Sequence, residues 1–490
     1  MKFKSKLLIS LMAVISIIAL VIPGCDIGTG AAGDNVYQGS GYSNGRVPII
    51  DDGGELSGDS DLTFSGDTLT ATKFAGDGAA LTGLPSGVTA GATFPVSPTY
   101  GQMFLHTPTG RKILYQYDGS MWVAIEALSN VVVYVDNGSV TGTVGTDNLN
   151  HGFGTGINAF ATLNYAWDML PATFPSQYKA TIILAAGTYN ETIQTSDTYG
   201  ASNVNIVGAT ITLLTSTAIG GLAGSGANVP YVSGTFLVGQ YDKKLLKFGL
   251  DHTGAQGANY GKVCPISQTT TTAIYLANTT LPIIPSNGDQ YEILDWATTI
   301  TGNWLLNTGS RFVVFNYLNL TATTKYQSYG NIIWSLNTIA AFYYCNVYSA
   351  TVDAFLADEK SLIVAYYCVL GGCVATLGGG LDLEEDVIQG VDNATGYGVS
   401  TDRNSVANVV ACSISKFDRG VSTNINGVAS LIDSGIYNRV YGTGTGLCAF
   451  SSGVTIYQNT VLGLNPDGTS NANGGDTYAD TGTFALVAQN

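Results

Sequence analysis

Apolar and polar residues alternate in short runs along most of this chain, separated by glycine, asparagine and aspartate. That is the period of half-buried strands, not of helices. One stretch departs from it. From Val131 to Ile193, VVVYVDNGSVTGTVGT and then GTGINAFATLNYAWDMLPATFPSQYKATIILAAGTYNETI predict a strand, a Gly-rich loop, an amphipathic helix, a strand and a tight turn. Nearly all that follows is strand-like. From Arg311 onward FVVFNYLNL, AFYYCNVYS, VAYYCVLGG, NVVACSISK, ASLIDSGIY and GVTIYQNTV recur, the mark of a solenoid whose coils stack on their neighbours. Cys345 and Cys368 stand 23 residues apart and Cys412 lies 44 beyond Cys368, close to two further coils. Stacking therefore predicts a cysteine column and, one residue earlier, a tyrosine column of Tyr344 and Tyr367. Alternation along each strand sends the two columns to opposite faces, one the core and the other a ladder of groove residues.

This order of motifs resembles the start of a right-handed parallel β-helix of the pectate-lyase-like superfamily, in which the opening helix caps the solenoid. The resemblance implies an all-β fold with the solenoid over residues 129–490 and with ligand and catalytic groups on an outward sheet face. The rhythm breaks between Tyr231 and Leu294, where GKVCPISQTTTTAIYLANTTLPIIPSNGDQYEIL resembles a compact antiparallel module inserted in tail proteins, over about 231–295. Asp242, Lys243, Lys244, Asp251 and His252 precede that run and read as a solvated loop, with a binding site as the alternative. A final apolar run, TFALVA, is expected to cover the last open coil, because an unpaired strand edge invites association.

Ahead of the solenoid, residues 46–90 (GRVPIIDDGGELSGDSDLTFSGDTLTATKFAGDGAALTGL and its flank) alternate apolar residues with turn pairs such as Asp52-Gly53. They resemble phage tail-fibre shaft, which implies winding around identical chains in a homotrimer; a flexible stalk is the alternative. An isolated ribbon of this size is marginal in water. Residues 91–128 offer three strands, near 102–106, 112–117 and 121–125, and resemble a small module of phage structural proteins. Tyr115, Tyr117 and Trp122 there read as cross-strand packing in preference to a sugar platform.

The amino terminus carries Lys2, Lys4 and Lys6 before an apolar run from Leu7 to Ile22, shorter than a membrane span of about 20 residues. Residues 1–24 read as a signal peptide. Ile22-Pro23-Gly24-Cys25 resembles a bacterial lipobox, which implies lipidation of Cys25, a membrane anchor and an exported, cell-envelope or cell-surface protein, or a virion component if phage-encoded; ordinary cleavage is the alternative. Residues 25–45, rich in Gly, Asn and Ser, read as a flexible tether.

Composition narrows the partners. With 62 Gly, 28 Tyr and 11% charged residues in 490, the chain is a β-rich globular protein with a large core. Its net charge of -16 repels phosphate backbones, so nucleic acid is not an expected partner. The six cysteines other than Cys25 are free to form disulfides outside the cytoplasm, but a solenoid buries small residues in stacks and free thiols are preferred. His106, His151 and His252 are scattered, which gives zinc no support.

Catalytic chemistry falls to acids and bases. The densest acidic cluster is Asp382, Glu384, Glu385 and Asp386, after glycines 378–380 that suggest a loop. These four are the candidate calcium ligands, since hard oxygen donors suit calcium; no other cofactor is expected. Asp353, Asp358, Glu359 and Lys360 sit about one coil earlier, and Asp402-Arg403 and Asp418-Arg419 come later. Enzymes of the resembled family use acids to hold calcium with an Arg or Lys base, or paired acids on a glycosidic bond, which nominates Asp382, Glu384, Asp386, Arg403 and Arg419 as catalytic. Aromatic faces and amides suit sugars, and Asn316, Asn319, Tyr344, Tyr367, Tyr397, Asn438 and Tyr457 are the candidate carbohydrate-binding residues. The expected function is that of an adhesin or carbohydrate-binding module recognising a polysaccharide or cell-surface glycan. The alternatives are a polysaccharide lyase or glycoside hydrolase, whose acids at 353–360 and 382–386 would have to share a cleft with Arg403 or Arg419, and a purely structural spacer.

Overall fold

The computed structural model describes residues 46–50, 56–65, 68–71 and 88–489, the last span except 109–110, 172–173, 176, 196–202, 224–228, 278–280, 282–284, 307–311, 323–330, 391–395, 418, 438–444, 450–451, 453, 459–460, 463–476 and 480–485. The chain divides into two units, Met1–Leu84 and Pro85–Asn490. Cys25 and the tether lie outside the described residues. In the first unit Arg46–Ile50, Leu56–Ser65 and Thr68–Ala71 form an antiparallel ribbon.

The second unit opens with a four-stranded sheet, Thr89–Gly91, Met103–His106, Ile113–Tyr117 and Trp122–Ala127. Tyr115 and Trp122 are buried with Phe94, Phe104 and His106, so these aromatics are core. Burial, helped by the neighbouring Arg111, lowers His106 to about 4 and keeps its ring neutral.

The body is a parallel β-helix. An 11-stranded sheet (sheet 1) runs from Val131–Val135 to Leu486–Gln489, and two 9-stranded sheets run beside it, sheet 2 from Gly187–Tyr189 to Val461–Leu462 and sheet 3 from Ile193–Thr195 to Thr477–Ala479. Each coil visits sheet 3, then sheet 1, then sheet 2. Inward side chains stack: Phe315 and Phe342 lie parallel with ring centroids 4.6 Å apart, and Phe355 sits 4.7 Å from Phe342. The helix Leu163–Asp168 buries Leu163, Ala166 and Trp167 in the same core. Thr162 Oγ1 accepts from Tyr165 N, and the Glu191 carboxylate accepts from Leu163 N and Asn164 N at 2.8 and 2.7 Å, satisfying the free amides of the first turn.

The corner between sheets 1 and 2 explains the columns. Tyr317, Tyr344, Tyr367, Glu385, Ala411 and Asp433 all have φ between 50° and 57°, a left-handed conformation that side chains rarely adopt. It persists because the ladder fixes it: Tyr344 N donates to Tyr366 O and Glu385 N to Val410 O, one coil on. The following residue turns inward in every coil, which generates the cysteine column. Cys345 N donates to Cys368 Sγ, Cys368 N to Asp386 Oδ1 and Cys412 N to Ser434 Oγ. All six described cysteines are buried, and none forms a disulfide.

At this same corner, after Asn203–Val207, the chain leaves the solenoid and forms a closed barrel of Thr210–Ala223, Val229–Ser233, Leu245–Phe248, Val263–Thr269, Ala273–Leu276 and Asp289–Trp296. The insertion thus starts at Thr210 instead of near 231. The pattern of TITLLTSTAI is that of any solenoid strand, and only its pairing with Asp289–Trp296 sets it apart. The barrel packs on sheet 2, with Leu245, Val263, Leu294 and Trp296 against Val369 and Val387. Of the terminal run, Leu486–Gln489 pairs with Val454–Gln458 as the last strand of sheet 1, and residues 483–485 lie outside the described residues.

Candidate functional site

The outward face of sheet 3 is hollowed by side-chain size. Along the axis its outward column runs Trp334, Leu356, Val374, Ser400 and Ser422, paired in register coil by coil. Shrinking side chains on evenly spaced strands leave an open groove of about 630 Å³. Asp358, Thr376, Asp402 and Asn424 line it as a second column, Tyr397 and Arg419 rise along one side, and Leu377 and Arg403 also line it.

The polar groups here are partly paired. Arg419 Nη1 donates to the Tyr397 hydroxyl at 3.1 Å, with its guanidinium 5.4 Å from the ring centre. Arg403 Nε lies 3.5 Å from Asp402 Oδ2. Asp402 Oδ1 is buried with no hydrogen-bond partner, while the side chain as a whole is 26% exposed. Asp358 Oδ1 accepts from Glu359 N at 2.9 Å. Two coils separate Asp358 from Asp402, about 9–10 Å at the usual strand spacing. The groove offers cationic donors, carboxylate acceptors and an aromatic face in one line.

The residues nominated as catalytic are divided among three environments. Arg403 and Arg419 meet in the groove. Asp382 and Glu384 point outward from sheet 1, because Gly380–Glu384 is a strand and not a loop. Its glycines serve the preceding corner: Gly378 takes φ +81°, and a Cβ on Gly379 would fall on the Ala357 carbonyl. Asp382 Oδ1 accepts from Asn408 Nδ2 at 2.9 Å. Burial, then Glu385 and Asp382, push Glu384 upward. Asp386 enters the core, since the left-handed Glu385 turns the next residue inward. The four carboxylates nominated for calcium therefore diverge, and among the described residues no group of three or more His, Cys, Asp or Glu is placed to hold a metal ion.

The sugar-binding candidates are also dispersed. Asn316 Nδ2 donates to Asn205 Oδ1 at 2.6 Å, and Asn319 donates to Thr299 Oγ1 and accepts from Asn346 Nδ2, forming rungs between coils. Tyr344 and Tyr367 stack at 5.3 Å beneath the barrel, and the Tyr344 carbonyl accepts from Trp296 Nε1. Burial pushes the Tyr344 hydroxyl up to about 12. Tyr457 packs on the solenoid core and Asn438 lies outside the described residues. Among the described candidates only Tyr397 lines the groove. Of the acids expected to share a cleft with Arg403 or Arg419, Asp358 joins it while Asp382 and Glu384 do not, and Asp402 lies 44 residues beyond Asp358, the same spacing as Cys368 and Cys412.

No protein-family model and no curated protein matches the chain. Among solved structures, a glycoside hydrolase is 9% identical, with 73% of this chain and 95% of that one aligned at a TM-score of 0.31. The tailspike protein gp49 from Pseudomonas phage LKA1 is 12% identical (57% and 50% covered, TM-score 0.18). The Pseudomonas phage phi297 tailspike gp61 is 7% identical (65% and 66% covered, TM-score 0.21). Likeness this distant carries no functional argument.

Proposed function

We propose that this chain is a surface-displayed glycan-binding protein, an adhesin whose polysaccharide ligand lies in the sheet 3 groove. The observation that carries the reading is the open groove in which Asp402 and Asn424 lie beside the Tyr397–Arg419 pair. A sugar needs hydroxyl acceptors, donors for ring and hydroxyl oxygens, and an apolar plate for its C–H face, and these side chains supply all three. The lipid on Cys25 holds the protein on the cell envelope, and residues 46–90 join three copies, which raises avidity for a repeating polymer.

A glycan array probed with the full chain tests this, with and without calcium, alongside a measurement of its mass in solution. Arg419→Ala is expected to weaken binding roughly tenfold or more, the loss of a charge-assisted hydrogen bond of about 1.5–3 kcal/mol. Ser400→Trp, which fills the groove floor, is expected to abolish binding with little effect on melting temperature. Unchanged binding by both variants would place the ligand elsewhere.

A second reading keeps the groove and makes it hydrolytic, with Asp358 and Asp402 as the acid and base on opposite sides of a glycosidic bond. Their two-coil separation of about 9–10 Å stands at the upper limit of the about 6.5–9.5 Å at which inverting hydrolases hold their carboxyls apart to admit a water. Shortened polymer that Asp402→Asn no longer produces, while still binding, would establish this reading over the first.

A further inference from the structure

We infer that the inserted barrel carries its own binding pocket for a single neutral pyranose unit, on a different face from the groove and independent of it. The pocket has a volume of about 80 Å³ and is walled by Asp251, His252, Asn259, Tyr260, Asp289 and Gln290. The residues that make the NGDQYEIL run distinctive build one side of it. Gly288 takes φ +95°, and a side chain there would press on the His252 Cβ at 3.0 Å. Asp289 then grips the facing loop: its Oδ1 accepts from His252 N at 2.9 Å and lies 3.3 Å from His252 Nδ1, and its Oδ2 accepts from Ser286 N. That contact turns His252 Nε2 away from Asp289, and the side chain stays half exposed. Asp251 Oδ1 is consumed by its own loop, accepting from Thr253 N, Thr253 Oγ1 and Ala255 N.

The chemistry selects a neutral, hydroxylated ligand. No Lys or Arg lines the pocket, and its two carboxylates repel anions. Tyr260 is 47% exposed at the rim, a large aromatic left open to solvent beside amide and imidazole groups. Size sets the mode. The pocket is about half of the roughly 150 Å³ that accommodates benzene, so it takes one hydroxylated edge of a ring while Tyr260 covers a face.

Saturation-transfer NMR on the full chain tests this, with methyl α-glucoside, methyl α-galactoside, methyl α-mannoside and N-acetylglucosamine as probes. At least one is expected to receive saturation, reduced fivefold or more by Tyr260→Ala and by His252→Ala, and unchanged by Arg419→Ala. No transfer to any of the four, or transfer that survives both barrel variants, would overturn the inference. Transfer abolished by Arg419→Ala would also overturn it, by assigning the signal to the groove. A protein that fails in the groove but retains the barrel signal leaves this inference standing and removes only the adhesin reading.

Discussion

Truncating Phe342 to alanine is expected to lower the stability of the solenoid by about 3–5 kcal/mol, the usual cost of removing a large core aromatic. Phe342 is fully buried, stacked at 4.6 Å on Phe315 and packed at 4.7 Å against Phe355. Coils in a stack touch only their neighbours, so a cavity here weakens two interfaces at once and cannot be closed by the rigid strands on either side. Val406, at 52% exposure on sheet 1, is the control: its change to alanine should cost less than about 0.5 kcal/mol. Urea unfolding of the two variants beside the parent measures the difference. A loss below about 1 kcal/mol for Phe342→Ala would mean the aromatic stack is not a principal support of the core.

The second large effect concerns Asp386, whose carboxyl is wholly inside the core. Burial pushes its pKa well above the ordinary 3.8, against the opposing hydrogen bond from Cys368 N, and Glu384 and Glu385 push the same way. The folded state therefore keeps a proton that the unfolded chain releases. Stability is full below about pH 4 and falls as pH rises from there through the raised folded value. Asp386→Asn retains the oxygen that accepts from Cys368 N and removes the charge. The melting temperature of this variant relative to the parent should thus increase steadily from pH 4 to pH 8. Asp386→Ala leaves the Cys368 amide without its acceptor and should cost about 1–3 kcal/mol at every pH. Parallel pH curves for Asp386→Asn and parent would show that the carboxylate is solvated in solution and sink the argument.

The second prediction concerns a residue that a sequence places ambiguously. Asp386 looks like part of a surface run of acids, DLEED, and alternation alone would set it beside Asp382 and Glu384. A single left-handed residue at Glu385 reverses that assignment, and nothing in the local sequence announces it, since tyrosine, alanine and aspartate occupy the same conformation in other coils. The groove was half legible. Arg403, Arg419 and Tyr397 were singled out, but for different roles, because their meeting depends on which coil each falls in. Tyr397 and Arg419 pair across one 22-residue coil, while the coils before them differ in length.

Residue pattern marks this chain as a stack of short strands, shows where its coils repeat, and predicts a cysteine column and a tyrosine column along the axis. The strands rest on local alternation, and the columns on a period that survives counting. The tertiary structure alone decided which outward face is open. The barrel packs on Val369 and Val387 of sheet 2, sheet 1 pairs Asp382 with Asn408, and sheet 3 is hollowed by Val374, Ser400 and Ser422. The physical reason is that a groove is set by side-chain volumes in neighbouring coils and by where an insertion folds back. Both are relations between residues tens of positions apart, which alternation within a single strand does not encode.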